Sequence, residues 1–183
     1  MRVIGGQSRG RLLSPLKGLK IRPTSDRVRE AVFNLLGQDI TGQKVLDLFA
    51  GTGSFGIEAL SRGALWAVFI DNSMQSIRLV RKNLALCGYE SSGIVMKKDL
   101  ERGLPLEHPL IKERVDLVFI DPPYGKDLIP PLLMRLTDGD LLRSSSIVVT
   151  ESFKEDNLPD SLDRLRLFDT RLYGETRIAL YCQ

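Results

Sequence analysis

The sequence predicts an α/β fold: a doubly wound, mostly parallel sheet with helices on both faces. Three observations carry this reading. From Lys44 onward, strand-like and helix-like patterns alternate, as in repeated βαβ units. The stretch "VDLVFID" (115–121) is almost continuously apolar, which suits a strand covered on both faces. The stretch "GTGSFG" (51–56) falls between a strand pattern and a helix pattern, at the carboxyl end of a strand, where such sheets bind ligands.

Taken in order, residues 1–22 mix Gly, Arg and Leu and read as a hairpin or arm. "RPTSDRVREAVFNLLG" (22–37) reads as a helix. Thr24 or Ser25 can cap it, Val28, Val32, Leu35 and Leu36 form its apolar stripe, and Gly37 ends it. Strands are expected at 44–50, 66–71, 92–99, 115–121 and 145–152, with helices at 54–63, 73–88 and 127–138 between them. In the helix at 73–88, Met74, Ile77, Val80, Leu84 and Cys87 share a face. "LRLFDTRLY" and "TRIALYC" can pair as an antiparallel hairpin around Gly174, which brings the expected sheet to seven strands. The chain divides by expected role into a basic N-terminal arm and helix (1–38) and a catalytic domain (39–183).

Composition narrows the class. A chain of 183 residues with 43% hydrophobic and 27% charged side chains suits one globular domain with a real core. No apolar run approaches the length of a membrane span, and no secretory signal precedes the first helix pattern. Cys87 and Cys182 are in no metal-binding spacing, so a reduced cytoplasmic protein without a metal is expected. Charge is unevenly placed. Residues 1–30 hold Arg2, Arg9, Arg11, Lys17, Lys20, Arg22, Arg27 and Arg29 against Asp26 and Glu30, whereas the remainder carries 18 basic and 21 acidic side chains. A basic arm on a mildly acidic body points to nucleic acid, with Lys and Arg on phosphates supplying affinity rather than sequence choice.

Two constellations carry chemistry. The first is "DLFAGTGSFG" (47–56), whose glycines let backbone approach a ligand, followed by Asp71 at the next strand end. An acid there can accept from both hydroxyls of a ribose. The loop also matches a dinucleotide-binding pattern literally, which leaves a nicotinamide-dependent oxidoreductase as an alternative. Asp47 argues against it, because a fixed carboxylate would repel a pyrophosphate and suits a cationic ligand. "D-L-F-A-G-T-G" resembles the first motif of class I S-adenosylmethionine-dependent methyltransferases. That resemblance assigns Asp47, Phe49, Gly51, Gly53, Asp71 and Asn72 to the cofactor. Asp99 and Leu100 of "KKDL" would then receive the adenine.

The second constellation is "DPPY" (121–124). It resembles the tetrapeptide of amino-group methyltransferases, in which an acid or amide precedes two prolines and an aromatic. An exocyclic amine on a nucleobase is a weak nucleophile, because its lone pair is delocalised into the ring. The Asp121 carboxylate and the Pro122 carbonyl can both accept from that amine, and proline rigidity holds the acceptors where charge develops. Tyr124 offers a face for base stacking, and Asp121 also lies close enough in the fold to border the cofactor. No strong base is required, so His108 reads as loop surface without a catalytic role.

"MRVIGGQSRGRLL", "RPTSDRVREAVFNLL", "DLFAGTGSFGIEALSRGA", "DPPY" and "VVTES" occur in this order over nearly the whole chain. Together they resemble the bacterial 16S rRNA (guanine(966)-N(2))-methyltransferase family. The resemblance implies a Rossmann-like class I methyltransferase that methylates a guanine N2 in 16S rRNA of the 30S subunit or its precursor, with ribosomal proteins as further contacts. Catalysis would rest on Asp121, Pro122 and Tyr124. RNA would be held by Arg2, Arg9, Arg11, Arg22, Thr24, Arg27 and Tyr124, and Arg29 is a further anion-binding candidate. A monomer with no membrane contact is expected. A DNA adenine-N6 or cytosine-N4 methyltransferase uses the same tetrapeptide, but 183 residues leave little room for a separate target-recognition region. An RNA-binding assembly factor without activity is the remaining alternative.

Overall fold

The computed structural model describes residues 1–16, 25–112, 114–138 and 140–183. In chain order its elements are α1 (Asp26–Leu36), β1 (Lys44–Leu48), α2 (Ser54–Ser61), β2 (Trp66–Asp71), α3 (Met74–Cys87), β3 (Gly93–Lys97), α4 (Pro109–Lys112), β4 (Val115–Ile120), α5 (Ile129–Thr137), β5 (Leu142–Phe153), β6 (Ser161–Leu162), β7 (Leu165–Tyr173) and β8 (Thr176–Cys182). One sheet joins the strands in the order β3-β2-β1-β4-β5-β8-β7-β6. β3, β2, β1, β4 and β5 run parallel, and β8, β7 and β6 add antiparallel to the β5 edge. The chain winds outward from β1 to β3, then crosses back to β4 beside β1. The switch point therefore lies between the carboxyl ends of β1 and β4, where Leu48 pairs with Ile120.

The sheet has eight strands rather than the expected seven. The addition is the two-residue β6, which "SL" between Asp160 and Asp163 gives no pattern to announce. β5 also begins three residues before the expected 145. The added residues, "LRS", have no strand pattern, yet Ser146 ties them to β4 by accepting from the Arg143 N–H (2.8 Å) and donating to the Val115 carbonyl (2.6 Å).

Each sheet face has its own core. One packs α1, α2 and α3 over the sheet, with Phe33, Ile57, Val80, Leu117, Phe119 and Leu180 buried between them. The opposite face packs α5 and the segment before β4, with Leu46, Val118, Leu132, Leu136 and Tyr181 at its centre. Burying a side chain such as Leu or Phe contributes ~1.5–3 kcal/mol.

The N-terminal residues form a small hairpin, with Arg2 bridged to Leu12 and the Val3 N–H donating to the Arg11 carbonyl at 2.9 Å. It is fastened tightly to the body. The fully buried Glu58 of α2 accepts from the N–H groups of Ile4 (2.8 Å) and Gly5 (2.7 Å), and Ser61 Oγ accepts from the Ser8 N–H (2.9 Å). Gly6 has φ of +72°, and a Cβ on it would meet the Ser61 carbonyl oxygen at 1.8 Å. Only glycine can make that approach. Val3 and Leu13 enter the same core as α1 and α2. The hairpin is therefore packed structure with a basic outer surface.

One expected anion-binding group turns inward. Arg29 is fully buried, pairing with Asp26 (3.0 Å) and Glu58 (3.6 Å) and donating to the Arg2 carbonyl. Its position on the inner side of α1, one residue from Val28, places it over the core, where a guanidinium needs carboxylate partners. It serves the hairpin–α1–α2 junction, not an external anion.

Candidate functional site

The cofactor side begins at the end of β1. Asp47 is 2% exposed, and its Oδ2 accepts from the Gly56 N–H at 2.9 Å. Burial pushes its carboxyl up to about 7; the Gly56 hydrogen bond opposes this and the Asp71 charge adds to it. Gly56 explains its own identity: a Cβ there would lie 2.3 Å from the Phe69 ring and 3.1 Å from Asp47 Oδ2. The chain then reverses through left-handed conformations at Phe49 (φ +60°), Gly51 (+55°) and Gly53 (+78°), and Gly53 caps α2. A left-handed Phe is strained, and such strain collects at ligand sites.

Asp71 closes this loop from β2. Its Oδ2 accepts from the Gly51 N–H (2.9 Å) and its Oδ1 from the Ser73 N–H (2.8 Å). Each carboxylate oxygen retains a further lone pair, so a sugar hydroxyl can still donate to it. Asn72 follows and is exposed. A Cβ on Gly51 would meet nothing nearer than the Phe49 carbonyl oxygen at 3.8 Å, so the loop leaves an open cradle beside a strand-end carboxylate. That cradle fits a nucleoside-bearing cofactor. Asn83 of α3, fully buried, fixes its far wall by donating to the Thr52 carbonyl (2.9 Å) and accepting from the Ser14 N–H (2.8 Å).

Asp99 follows β3 and caps a single 3-10 turn, Leu100–Arg102, accepting from the Glu101 N–H at 3.1 Å. Its other oxygen pairs with Arg102 at 3.3 Å. The Leu100 side chain is buried and its carbonyl accepts from Arg135 of α5 at 3.0 Å. Lys126 pairs with Glu101 at 2.9 Å, which links this turn to the loop after β4.

The acceptor side is built on β4 and β5. The Asp121 N–H donates to the Leu48 carbonyl at 3.4 Å, extending the β1–β4 pairing across the switch point. Pro122 is buried beneath the following turn, whereas Pro123 and Tyr124 are exposed. The Tyr124 hydroxyl donates to Glu151 Oε1 at 3.2 Å and lies 3.5 Å from Thr176 Oγ1. Its ring stands edge-on to Phe153 with centroids 6.3 Å apart. Burial, together with the charges of Glu151 and Asp121, pushes the Tyr124 phenol up to about 12 despite the Thr176 hydrogen bond, so it remains protonated and is no general base. Pro122, Tyr124, Ile129, Glu151 and Leu158 are among the residues that line a small cleft.

The structure thus gathers Asp47, Phe49, Gly51, Gly53, Asp71 and Asn72 around one loop, and Asp121, Pro122 and Tyr124 on the other side of the switch point. Arg2, Arg9, Arg11 and Arg27 are exposed, Arg2 lying 3.9 Å from Asp26. Arg22 and Thr24 lie outside the described residues. His108 is half-buried at the start of α4 rather than on a surface loop, and its Nδ1 has no hydrogen-bond partner among the described residues. Sequence reasoning gave no role to Glu151, Thr176 or Asn83. Glu151 lies inside β5, two residues before its end at Phe153, so no strand-end pattern marked it. Among the described residues there is no metal-binding cluster, and no helix is long and apolar enough to cross a membrane.

Comparison with known proteins agrees with this geometry. The family described as "Conserved hypothetical protein 95" matches residues 1–182. A Bacillus subtilis (strain 168) protein, YlbH, provisionally named an rRNA methyltransferase, is 36% identical over 183 residues, covering 99% of this chain and 98% of its own. Ribosomal RNA small subunit methyltransferase D of Escherichia coli (strain K12) is 34% identical over 185 residues, covering 99% of this chain and 89% of its own. A solved structure of the Escherichia coli protein yhhF, provisionally titled a methyltransferase, superposes with a TM-score of 0.84 at 33% identity and covers 100% of this chain and 97% of that one. The chain belongs to the "Conserved hypothetical protein 95" family, and its fold is the Rossmann-like methyltransferase fold.

Proposed function

We propose that this family member transfers a methyl group from S-adenosyl-L-methionine to the exocyclic N2 of a guanine in 16S rRNA, within the 30S subunit or its precursor. The observation that supports it most is the placement of Asp121-Pro122-Pro123-Tyr124 directly across the switch point from the glycine loop, joined by the hydrogen bond from the Asp121 N–H to the Leu48 carbonyl. An amine-orienting set and a nucleoside cradle then face one another across two adjacent strands. The names carried by relatives over nearly their full length support the ribosomal substrate.

In this reading Gly51 and Gly53 let backbone approach the cofactor, Asp71 accepts from its ribose, and Asp99 and Leu100 border its adenine. Asp47 holds the loop through Gly56. The bound cofactor supplies a methyl carbon activated by the neighbouring sulfonium. The chain's part in the reaction is orientation. The Asp121 carboxylate and the Pro122 carbonyl accept the two hydrogens of the guanine amine, turning its lone pair toward the methyl group and favouring electron density on nitrogen. The Tyr124 face stacks on the base, contributing ~1–3 kcal/mol. The methylated amine is acidic enough to release its proton without a dedicated base. Arg2, Arg9, Arg11 and Arg27 hold phosphates around a target base that has left its stack.

The test is labelled S-adenosylmethionine with undermethylated 30S subunits, followed by nucleoside analysis. Labelled N2-methylguanosine in 16S rRNA is expected. Label in duplex DNA and none in the subunit would overturn the assignment.

A further inference from the structure

The acceptor cleft is lined by a nearly buried carboxylate, Glu151, that the reaction above does not use. β4 and β5 are parallel neighbours, and Ile120 pairs with Thr150. The residues that follow them, Asp121 and Glu151, are thus next in register, on the same face of the sheet and roughly 4.8 Å apart along the hydrogen-bonding direction. Glu151 is 5% exposed and lines the cleft beside Pro122 and Tyr124. The Tyr124 hydroxyl donates to its Oε1 at 3.2 Å and bears on both carboxylates electrostatically. Beyond the Tyr124 hydroxyl, a carboxylate has lone pairs for further donors, and a bound base can bring one.

Elementary base chemistry says which donor. Adenine, cytosine and guanine each carry an exocyclic amine. In adenine and cytosine, the ring nitrogen next to that amine on the pairing edge is a bare acceptor. In guanine it is N1–H, a donor. An ionised carboxylate only accepts. We infer that Glu151 is the residue that selects guanine: its carboxylate accepts from the ring N1–H while Asp121 and the Pro122 carbonyl accept from N2. The inference rests on the methyl-transfer reading above and supplies the discrimination that the tetrapeptide lacks. Adenine or cytosine in the same pose sets a ring lone pair against the carboxylate, and sites that hydrogen-bond one substrate and repel its analogue discriminate strongly. The Tyr124 hydroxyl is a positioning group, fixing the Glu151 carboxylate edge-on to the cleft.

The experiment uses 30S subunits reconstituted with 16S rRNA that carries either guanine or 2-aminopurine at the target position. 2-Aminopurine keeps the amine and lacks N1–H. Wild-type protein should favour guanine by roughly 100-fold or more in kcat/KM. Glu151→Gln should slow guanine methylation by a similar factor yet narrow the preference to under about 10-fold, since a carboxamide can donate to the bare N1. Calorimetric affinity for S-adenosylmethionine should stay within about threefold, as Glu151 lies outside the glycine-loop cradle. If both substrates slow equally and the ratio holds, Glu151 is structural and the inference is overturned. Tyr124→Phe, which keeps ring and carboxylate, decides the matter should Glu151→Gln not fold: a narrowed ratio supports the inference and an unchanged ratio overturns it. Wild-type protein that methylates neither substrate sinks the underlying reading, and this inference with it.

Discussion

Asp47 and Asp71 stand at the carboxyl ends of β1 and β2, Asp121 and Glu151 at those of β4 and β5. The two pairs share a residue class and a place in the sheet, but their surroundings differ. Asp47 and Asp71 accept from backbone N–H groups of Gly56, Gly51 and Ser73, which holds a strained loop in shape. Asp121 and Glu151 flank an exposed tyrosine; Glu151 takes its hydroxyl, and the stiff Pro-Pro turn keeps the backbone from folding back over them. The first pair organises protein; the second, in the proposed function, faces the substrate. Gly51, Gly56 and Ser73 supply backbone donors to the first pair, whereas the two prolines after Asp121 have no N–H to offer.

The largest effect expected from this contrast is at Asp121. Asp121→Ala should lower kcat by ~10²–10³ while S-adenosylmethionine affinity and melting temperature stay near wild type, as single-turnover rates and calorimetry will report. A collapse of cofactor affinity instead would move Asp121 into the first pair. Asp71→Ala should show the opposite profile, with cofactor binding lost and stability reduced by ~1–3 kcal/mol, because the Gly51 and Ser73 N–H groups lose their acceptor; urea titration measures it. Gly56→Ala should destabilise by ~1–3 kcal/mol, since its Cβ runs into the Phe69 ring, and an unchanged urea midpoint would show that the loop has slack.

Asp47 gives a pH signature. Its folded carboxyl is pushed from 3.8 up to about 7 by burial. Between those values the folded chain holds a proton that the unfolded chain has released, so stability falls as pH rises through this window. Asp47→Asn keeps an acceptor for the Gly56 N–H and should flatten that decline in melts at pH about 5 and about 7.5. Smallest of all, Arg9→Ala and Arg11→Ala should leave stability unchanged and each reduce the salt slope of RNA binding by about one.

Most of the architecture was legible because periodicity and glycine placement are local signals. The β2, β7 and β8 ranges coincide with the patterned segments, and the capping serine of α1 accepts from the Val28 N–H as its position suggests. The two candidate clusters stood out for the same reason, since each is a short contiguous motif. What escaped depends on three-dimensional pairing. Glu58 looks like any helix acid until the hairpin N–H groups meet it, and Arg29 looks like its basic neighbours until α1 is laid on the core. The nearness of Glu151 to Asp121 emerges only from the β4–β5 register, in which Ile120 pairs with Thr150.

The hairpin's attachment has one more consequence. Ile4, Gly5 and Ser8 are riveted to α2, and Ser14 is held by the same Asn83 that grips the glycine loop at Thr52. In the proposed function its outward arginines are one jaw of a fixed gauge, with the acceptor cleft as the other. A tethered arm would accept any RNA of suitable charge; a gauge would admit only a fold whose phosphate ridge and displaced nucleotide stand at a set separation. Selection by span, before any base is read, would then follow from a handful of hydrogen bonds that tie the hairpin to α2 and, through Asn83, to the glycine loop itself.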